Sequence, residues 1–187
     1  MRGLQERRVV VTALSLKSGR RVRQLLIPAV AVAVLVVDQA SKTWALHQVP
    51  QAPGGRHVIG SLWLVLTFNS GAAFSVGRGV TPVLEAVVIL LVVWLLVFSR
   101  RAGRAASIPL AVGLGLLLGG AAGNLTDRVF RHHHGSVIDF IDAARFGSHD
   151  LWPVFNVADA AIVVGVVILV LTYRRQPADS PDARDAT

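Results

Sequence analysis

The chain contains no cysteine, which excludes a disulfide scaffold, a thiol nucleophile, an iron–sulfur cluster and any thiolate zinc site. It is also poor in charge. Asp, Glu, Lys and Arg make up 16% of its 187 residues, where soluble globular chains carry about 25%. It has no His-Glu-x-x-His, the usual zinc-peptidase helix, and no Gly-x-Ser-x-Gly nucleophile turn. Tandem repeats are lacking too. What is abundant is apolar character: 53% of residues are hydrophobic and the mean hydropathy is +0.57. In a length that allows one domain, this composition describes a membrane protein.

A hydrocarbon core of about 30 Å needs roughly 20 mostly apolar residues per helix. Four stretches meet that requirement, at residues 25–45, 80–98, 108–125 and 157–173. The first is interrupted by Asp38 and Lys42, the second carries Glu85, and the third is rich in Gly, Ala and Leu. All four are expected to be helices, because lipid offers backbone polar groups no outside partner.

The basic residues set the orientation. Thirteen lie on one side of this four-span scheme. They are Arg2, Arg7, Arg8, Lys17, Arg20, Arg21 and Arg23 before the first span, Arg100, Arg101 and Arg104 between the second and third, and Arg174, Arg175 and Arg184 at the end. The opposite loops hold Arg56, Arg78, Arg128, Arg131 and Arg145. Both termini are therefore expected in the cytoplasm, and the net charge of +8 reads as a topology signal, not as nucleic-acid binding. The expected organisation is a basic cytoplasmic segment (1–24), a membrane domain (25–173) and a disordered polar tail (174–187). A basic start followed by an apolar run also resembles a secretory signal peptide. That run passes directly into Asp38 and Lys42 without a convincing small-x-small site, so it reads as a retained span.

The two outer loops are not plain connectors. Residues 56–78 combine β-branched and apolar residues with Trp63 and a turn-prone Asn69-Ser70-Gly71, which predicts short strands on the outer membrane surface. Residues 128–156 hold four histidines and several aspartates. The expected class is thus an all-α membrane protein: four transmembrane helices with a small extracytoplasmic β-rich loop region between helices 1 and 2.

This topology sorts the polar residues to one side. Asp38, Lys42, Asn69, Asn124, Asp127, Asp139, Asp142, Asn156 and Asp159 all fall near the outer face, and ionisable groups at membrane depth are functional by default. Each has a bland reading as well. Asp38 and Lys42 have the i, i+4 spacing of a helix pair. Asn156 and Asp159 have capping-box spacing, with Asp in place of Glu. Asp127 and Arg128 suit an interfacial ion pair, and Gly115, Gly119 and Gly123 suit a close-packing helix face. His132, His133 and His134 are adjacent on a loop, a poor arrangement for three nitrogens around one ion, so no metal is expected. Glu85 has no evident role. A metal-free, cysteine-free cluster rich in Asp points to paired carboxylates sharing one proton, the arrangement that hydrolyses amides through an activated water. Spacing alone leaves the pair open among Asp127, Asp139, Asp142 and Asp159.

Five ordered segments resemble the bacterial lipoprotein signal peptidases, the type II signal peptidases. They are Asp38-Gln39-Ala40-Ser41-Lys42, Asn69-Ser70-Gly71-Ala72-Ala73-Phe74, Gly119 through Arg128, Val137-Ile138-Asp139-Phe140 and Phe155-Asn156-Val157-Ala158-Asp159. The resemblance implies an intramembrane aspartic peptidase of the cytoplasmic (inner) membrane, without a cofactor. Such enzymes cut prolipoproteins just before a cysteine carrying diacylglycerol, among membrane phospholipids, and are inhibited by the cyclic peptide globomycin. It implies Asp139 and Asp159 as catalytic residues, with Asp127 the other candidate. Asp38, Lys42, Asn69, Gly71, Gly120, Asn124, Asp127, Arg128 and Asn156 would bind substrate or brace the site. The stretch from Arg128 to Ser136 is slightly longer than the family pattern. A small proton-coupled transporter or ion-conducting subunit is the alternative, but it expects charges spread through the bilayer depth. A scaffolding membrane protein would leave the polar cluster unexplained.

Overall fold

In the computed structural model, residues 2–70, 90, 93, 97, 107–131, 133, 135–146, 149, 150 and 152–174 are described, with side chains from residue 25 onward except at 146, 149, 150, 173 and 174. Helix α1 (Arg2–Gln48) is continuous through the basic segment and the first apolar run. Strands β1 (Arg56–Ile59) and β2 (Leu62–Asn69) follow, then α2 (Ile108–Phe130), β3 (Val137–Asp142), β4 (Arg145–Phe146), β5 (His149–Asp150) and α3 (Val157–Arg174). Of the expected second span, Leu90, Val93 and Val97 are helical. Its other residues, with Gly71, Arg78, Glu85, Arg100, Arg101, Arg104, His132, His134 and the tail from 175, lie outside the described residues.

Two described helices, Leu25–Gln48 within α1 and Ile108–Phe130, are long and apolar enough to cross a membrane, and Val157–Thr172 is a shorter apolar helix. Helix α2 lies against both others. Ser107 caps its start, its Oγ accepting from Leu110 N–H at 3.4 Å, with a proline in the first turn where no N–H is needed. Its glycines lie on two faces. An added Cβ at Gly115 would come within 2.7 Å of Val30 Cβ, and one at Gly119 within 2.6 Å of Ala31 O, both on α1. One at Gly120 would come within 2.5 Å of Ala158 O on α3. The expected glycine packing face is therefore present, and a second one opposes it. Small residues permit this backbone approach where lipid supplies no hydrophobic drive between helices.

The sheet departs from expectation. β1, β2 and β3 form one antiparallel sheet in that order, so the β-rich region draws a strand from the connection before α3 as well as from the loop after α1. The all-α description omits this three-stranded sheet. Thr67 pairs with Asp139 and Asn69 with Val137. Beyond β3 the chain returns to pair Phe155 with Ile141, through N–H···O bonds of 2.9 and 2.8 Å. This return brings Asn156, at the start of α3, beside β3.

Apolar burial is divided in two. Ile27, Ala31, Ala111, Leu114 and Leu118 form one cluster between α1 and α2. Ala45, Val49, Leu66, Ile138 and Phe140 form another between α1 and the sheet. Asp38 and Lys42 lie along α1 between them. Meanwhile Val32, Val36 and Val37 of α1 and Val163, Val166, Val167 and Val170 of α3 are exposed, an apolar surface suited to lipid.

Candidate active site

Lys42 is the centre of the buried polar layer. Its ammonium is fully buried, 2.9 Å from Asp38 Oδ2, 2.7 Å from Asp127 Oδ2 and 3.0 Å from Asn124 Oδ1. Three donors thus meet three acceptors, as a buried lysine requires. The expected Asp38–Lys42 pair is present, within a larger network. Asp38 Oδ1 also accepts from Ala158 N–H at 2.9 Å, tying α1 to the first turn of α3. Gly123 permits this contact, since a Cβ there would lie 2.5 Å from Asp38 Oδ2.

Asp127 is saturated. Oδ2 accepts from Lys42 and from Ile138 N–H at 3.1 Å. Oδ1 accepts from Gln39 Nε2 at 3.0 Å and lies 3.2 Å from Arg131 Nε. Four donors fill the capacity of a carboxylate. Its cationic partners are Lys42 and Arg131, where the sequence suggested Arg128; Arg128 Nη1 donates to Asn124 O at 3.3 Å.

Asp139 and Asp159 are arranged differently. Asp139, on β3 and 2% exposed, accepts from Asn156 Nδ2 at 2.7 Å on Oδ1 and from Asn69 Nδ2 at 3.0 Å on Oδ2. Asp159, on the first turn of α3, accepts from Asn124 Nδ2 at 2.8 Å on Oδ1 and from Asn156 N–H at 3.1 Å on Oδ2. Asn156 Oδ1 in turn accepts from Asp159 N–H at 2.9 Å. The capping box is therefore complete in both directions. Asn156 also lies 3.1 Å from Asn124 Oδ1 through Nδ2, so this one residue, through its side-chain amide and its backbone N–H, connects both carboxylates and α2. Burial, and then the charge of Asp159, push the Asp139 carboxyl up to about 7, against the Asn69 and Asn156 hydrogen bonds and Lys42, which lower it.

Asp142 is elsewhere. Side chains alternate along a strand, so Asp142 lies on the face of β3 opposite Asp139; it opposes Trp63 and accepts from Ala144 N–H at 3.4 Å. Gly120 serves the contact of α2 with α3. His133 packs on Phe68, ring centroids 4.6 Å apart. Gln39 and Arg131 belong to the network yet gained no role from the sequence. The available signal was the i, i+4 spacing of Asp127 and Arg131.

Beside these carboxylates lies an apolar groove of about 380 Å³. Val34 and Val37 of α1, Leu116 of α2, and Val157, Ala161 and Val164 of α3 line it. Val37 and Ala160 of its lining immediately precede Asp38 and follow Asp159 in the sequence.

Residues 30–175 match the family model described as signal peptidase (SPase) II. The chain is 40% identical over 155 residues to the lipoprotein signal peptidase of Mycobacterium tuberculosis (strain ATCC 25618 / H37Rv), covering 81% of this chain and 71% of that one. It is 39% identical over 160 residues to the lipoprotein signal peptidase of Rhodococcus jostii (strain RHA1), covering 80% and 72%. A solved bacterial membrane enzyme structure superposes with a TM-score of 0.69 at 28% identity, over 80% of this chain and 93% of that one. A second gives 0.67 at 27% identity, over 82% and 93%. With a family model spanning most of its length and relatives of this similarity, the chain belongs to the signal peptidase II family.

Proposed function

We propose that this chain removes the signal peptide from diacylglyceryl-modified prolipoproteins, cutting before the lipidated cysteine as an aspartic endopeptidase, with Asp139 and Asp159 as its catalytic pair. Family membership supports the activity. The observation that carries the pair is the contrast in carboxylate occupancy. Four donors fill Asp127, whereas among the described residues two amide donors reach each of Asp139 and Asp159, both held by Asn156. Acceptor positions on this pair remain for a water and a shared proton.

In the proposed mechanism the two aspartates share one proton and titrate as a unit. The ionised partner takes a proton from water while the protonated one polarises the carbonyl of the residue before the cysteine. The water oxygen attacks, giving a tetrahedral diol without a covalent bond to the enzyme. The C–N bond then breaks, its electron pair staying on the cysteine nitrogen, which receives a proton from the pair, and a carboxylic acid leaves with the signal peptide. The elevated Asp139 keeps the shared proton available near neutrality. Asn69, Asn124 and Asn156 orient the carboxylates, Asp38, Lys42, Asp127 and Arg128 brace the layer, and Gly71 belongs to the same outer-loop motif.

The same reading places four spans, at about 25–45, 80–98, 108–125 and 157–173, in the bacterial inner membrane. Both termini are cytoplasmic and the site is near the outer face. Surrounding phospholipid contacts the exposed valines, and the substrate's lipid tails lie between helices, for which the all-apolar groove beside Asp159 is suited. Globomycin is expected to occupy the site. A transporter reading is not favoured, because the described charged network is confined to one layer. The test is a gel-shift assay of purified protein on diacylglyceryl-modified and unmodified prolipoprotein. Cleavage of the modified form alone, blocked by globomycin, is expected. A well-folded protein that leaves it intact, yet carries ions across liposomes, would reverse the assignment.

A further inference from the structure

The guanidinium of Arg131 joins α1 and α2 at the C-terminal end of α2. Arg131 is the C-cap of α2, its N–H donating to Asp127 O at 3.1 Å. Its side chain turns back across α1. Nη2 lies 3.1 Å from Gln39 O, 3.0 Å from Gln39 Oε1 and 2.9 Å from Thr43 Oγ1, and Nε lies 3.1 Å from Gln39 Oε1. Gln39, so held, directs Nε2 to Asp127 Oδ1 at 3.0 Å and to Gly123 O at 3.1 Å. Arg131 Nε and Gln39 thus fix one oxygen of Asp127 from two directions. The other oxygen accepts from Ile138 N–H at 3.1 Å, and Ile138 immediately precedes Asp139 on β3.

We propose that Arg131 and Gln39 form a positioning clamp that sets the height of β3, and hence of Asp139, through the carboxylate of Asp127. The proposal rests on the aspartic-pair reading above. The helix pair does not depend on the clamp for its association, because α1 and α2 already meet at Gly115, Gly119 and Gly123 further in. The clamp acts beyond those contacts, at the rim, where the Arg131 side chain is 18% exposed. There a planar, rigid fork defines direction as well as charge, which a compact ammonium on a flexible stem does not. Catalysis is sensitive to such placement, for a displacement of about 1 Å can cost roughly 100-fold in rate.

The test compares kcat and KM of full-length Arg131→Ala, Arg131→Lys, Gln39→Ala and the Arg131→Ala/Gln39→Ala double variant on diacylglyceryl-modified prolipoprotein, with Asp139→Asn alongside. Arg131→Ala is expected to lower kcat by about 10- to 100-fold while KM stays within about twofold, since uniform substrate binding is untouched. Arg131→Lys should fall nearly as far. The double variant should be no slower than the slower single one, because both residues act on one carboxylate oxygen. If Arg131→Ala does not accumulate folded, Thr43→Val, which removes one exposed end of the clamp, should still lower kcat a few-fold at unchanged KM. Unchanged kcat in folded Arg131→Ala, full rescue by lysine, or a fully additive double variant would each overturn the clamp. So would a rise in KM alone. Cleavage by Asp139→Asn would remove the aspartic pair itself; an inactive Asp139→Asn beside a fully active Arg131→Ala removes only the clamp.

Discussion

Replacing Lys42 by methionine keeps an unbranched side chain of similar length but deletes the cation at the centre of the polar layer. Asp38 and Lys42 are both fully buried. Asp127 would lose one of four donors and keep Arg131, Gln39 and Ile138 N–H. Asp38 would keep Ala158 N–H and Gln39 Nε2 but lose its ammonium partner. Breaking a buried pair from one side costs about 3–5 kcal/mol, because the remaining charge is left uncompensated. For a chain of this size, 1 kcal/mol corresponds to about 2–4 °C, so the melting temperature in detergent should fall by about 6–20 °C. The double variant Asp38→Asn/Lys42→Met removes both charges, and its Asn oxygen can still accept from Ala158 N–H. It should recover more than half of the loss. Thermal unfolding of wild type and both variants, followed by intrinsic tryptophan fluorescence, reads this directly. A Lys42→Met protein melting with wild type, or a double variant melting as low as the single one, would refute the charge accounting.

Three further outcomes follow from particular contacts. Gly120→Ala should destabilise by about 1–3 kcal/mol and slow cleavage, since its Cβ would meet Ala158 O at 2.5 Å, one residue from Asp159; a melting curve and a rate on the same sample check both. Asn156→Ala should cost about 0.5–2 kcal/mol as a lost helix cap but at least roughly tenfold in kcat, because it also releases Asp139. The pH–rate profile should have an alkaline limb near 7. Asp139 is raised to about 7, so its proton is present below that pH and lost above it, where the rate falls about tenfold per pH unit. A rate still rising through pH 9 would contradict this assignment.

The local features were legible because their causes are local. The G-x-x-x-G spacing, the capping box of Asn156 and Asp159, and the Asp38–Lys42 pair each follow from helical period, and each is present. The strand content of residues 56–69 follows from their β-branched pattern. β3 was hidden because Val137–Asp142 is buried on both faces and reads as a run without alternation. Its pairing partner is also some 70 positions away, at Asn69 and Thr67. Asp127 and Arg128 are adjacent in sequence, which suggested a pair, yet neighbours on a helix point in different directions. The cations reaching Asp127 are Lys42, from α1, and Arg131, one turn on along the same helix. Gln39 could not be ranked from the sequence, because its importance comes from Gly123, Asp127 and Arg131 meeting it in space. Spacing also left four aspartates as candidates. The strand alternation that turns Asp142 away, and the four donors on Asp127, are properties of the assembled site.

The proposed chemistry requires Asp139 and Asp159 together to activate the water. The most direct measurement is single-turnover cleavage of diacylglyceryl-modified prolipoprotein by purified Asp139→Asn and Asp159→Asn, each matched to wild type in melting temperature and membrane insertion. No cleavage above background is expected in either variant. Wild-type cleavage by either folded variant would contradict it, and would remove that residue from the pair.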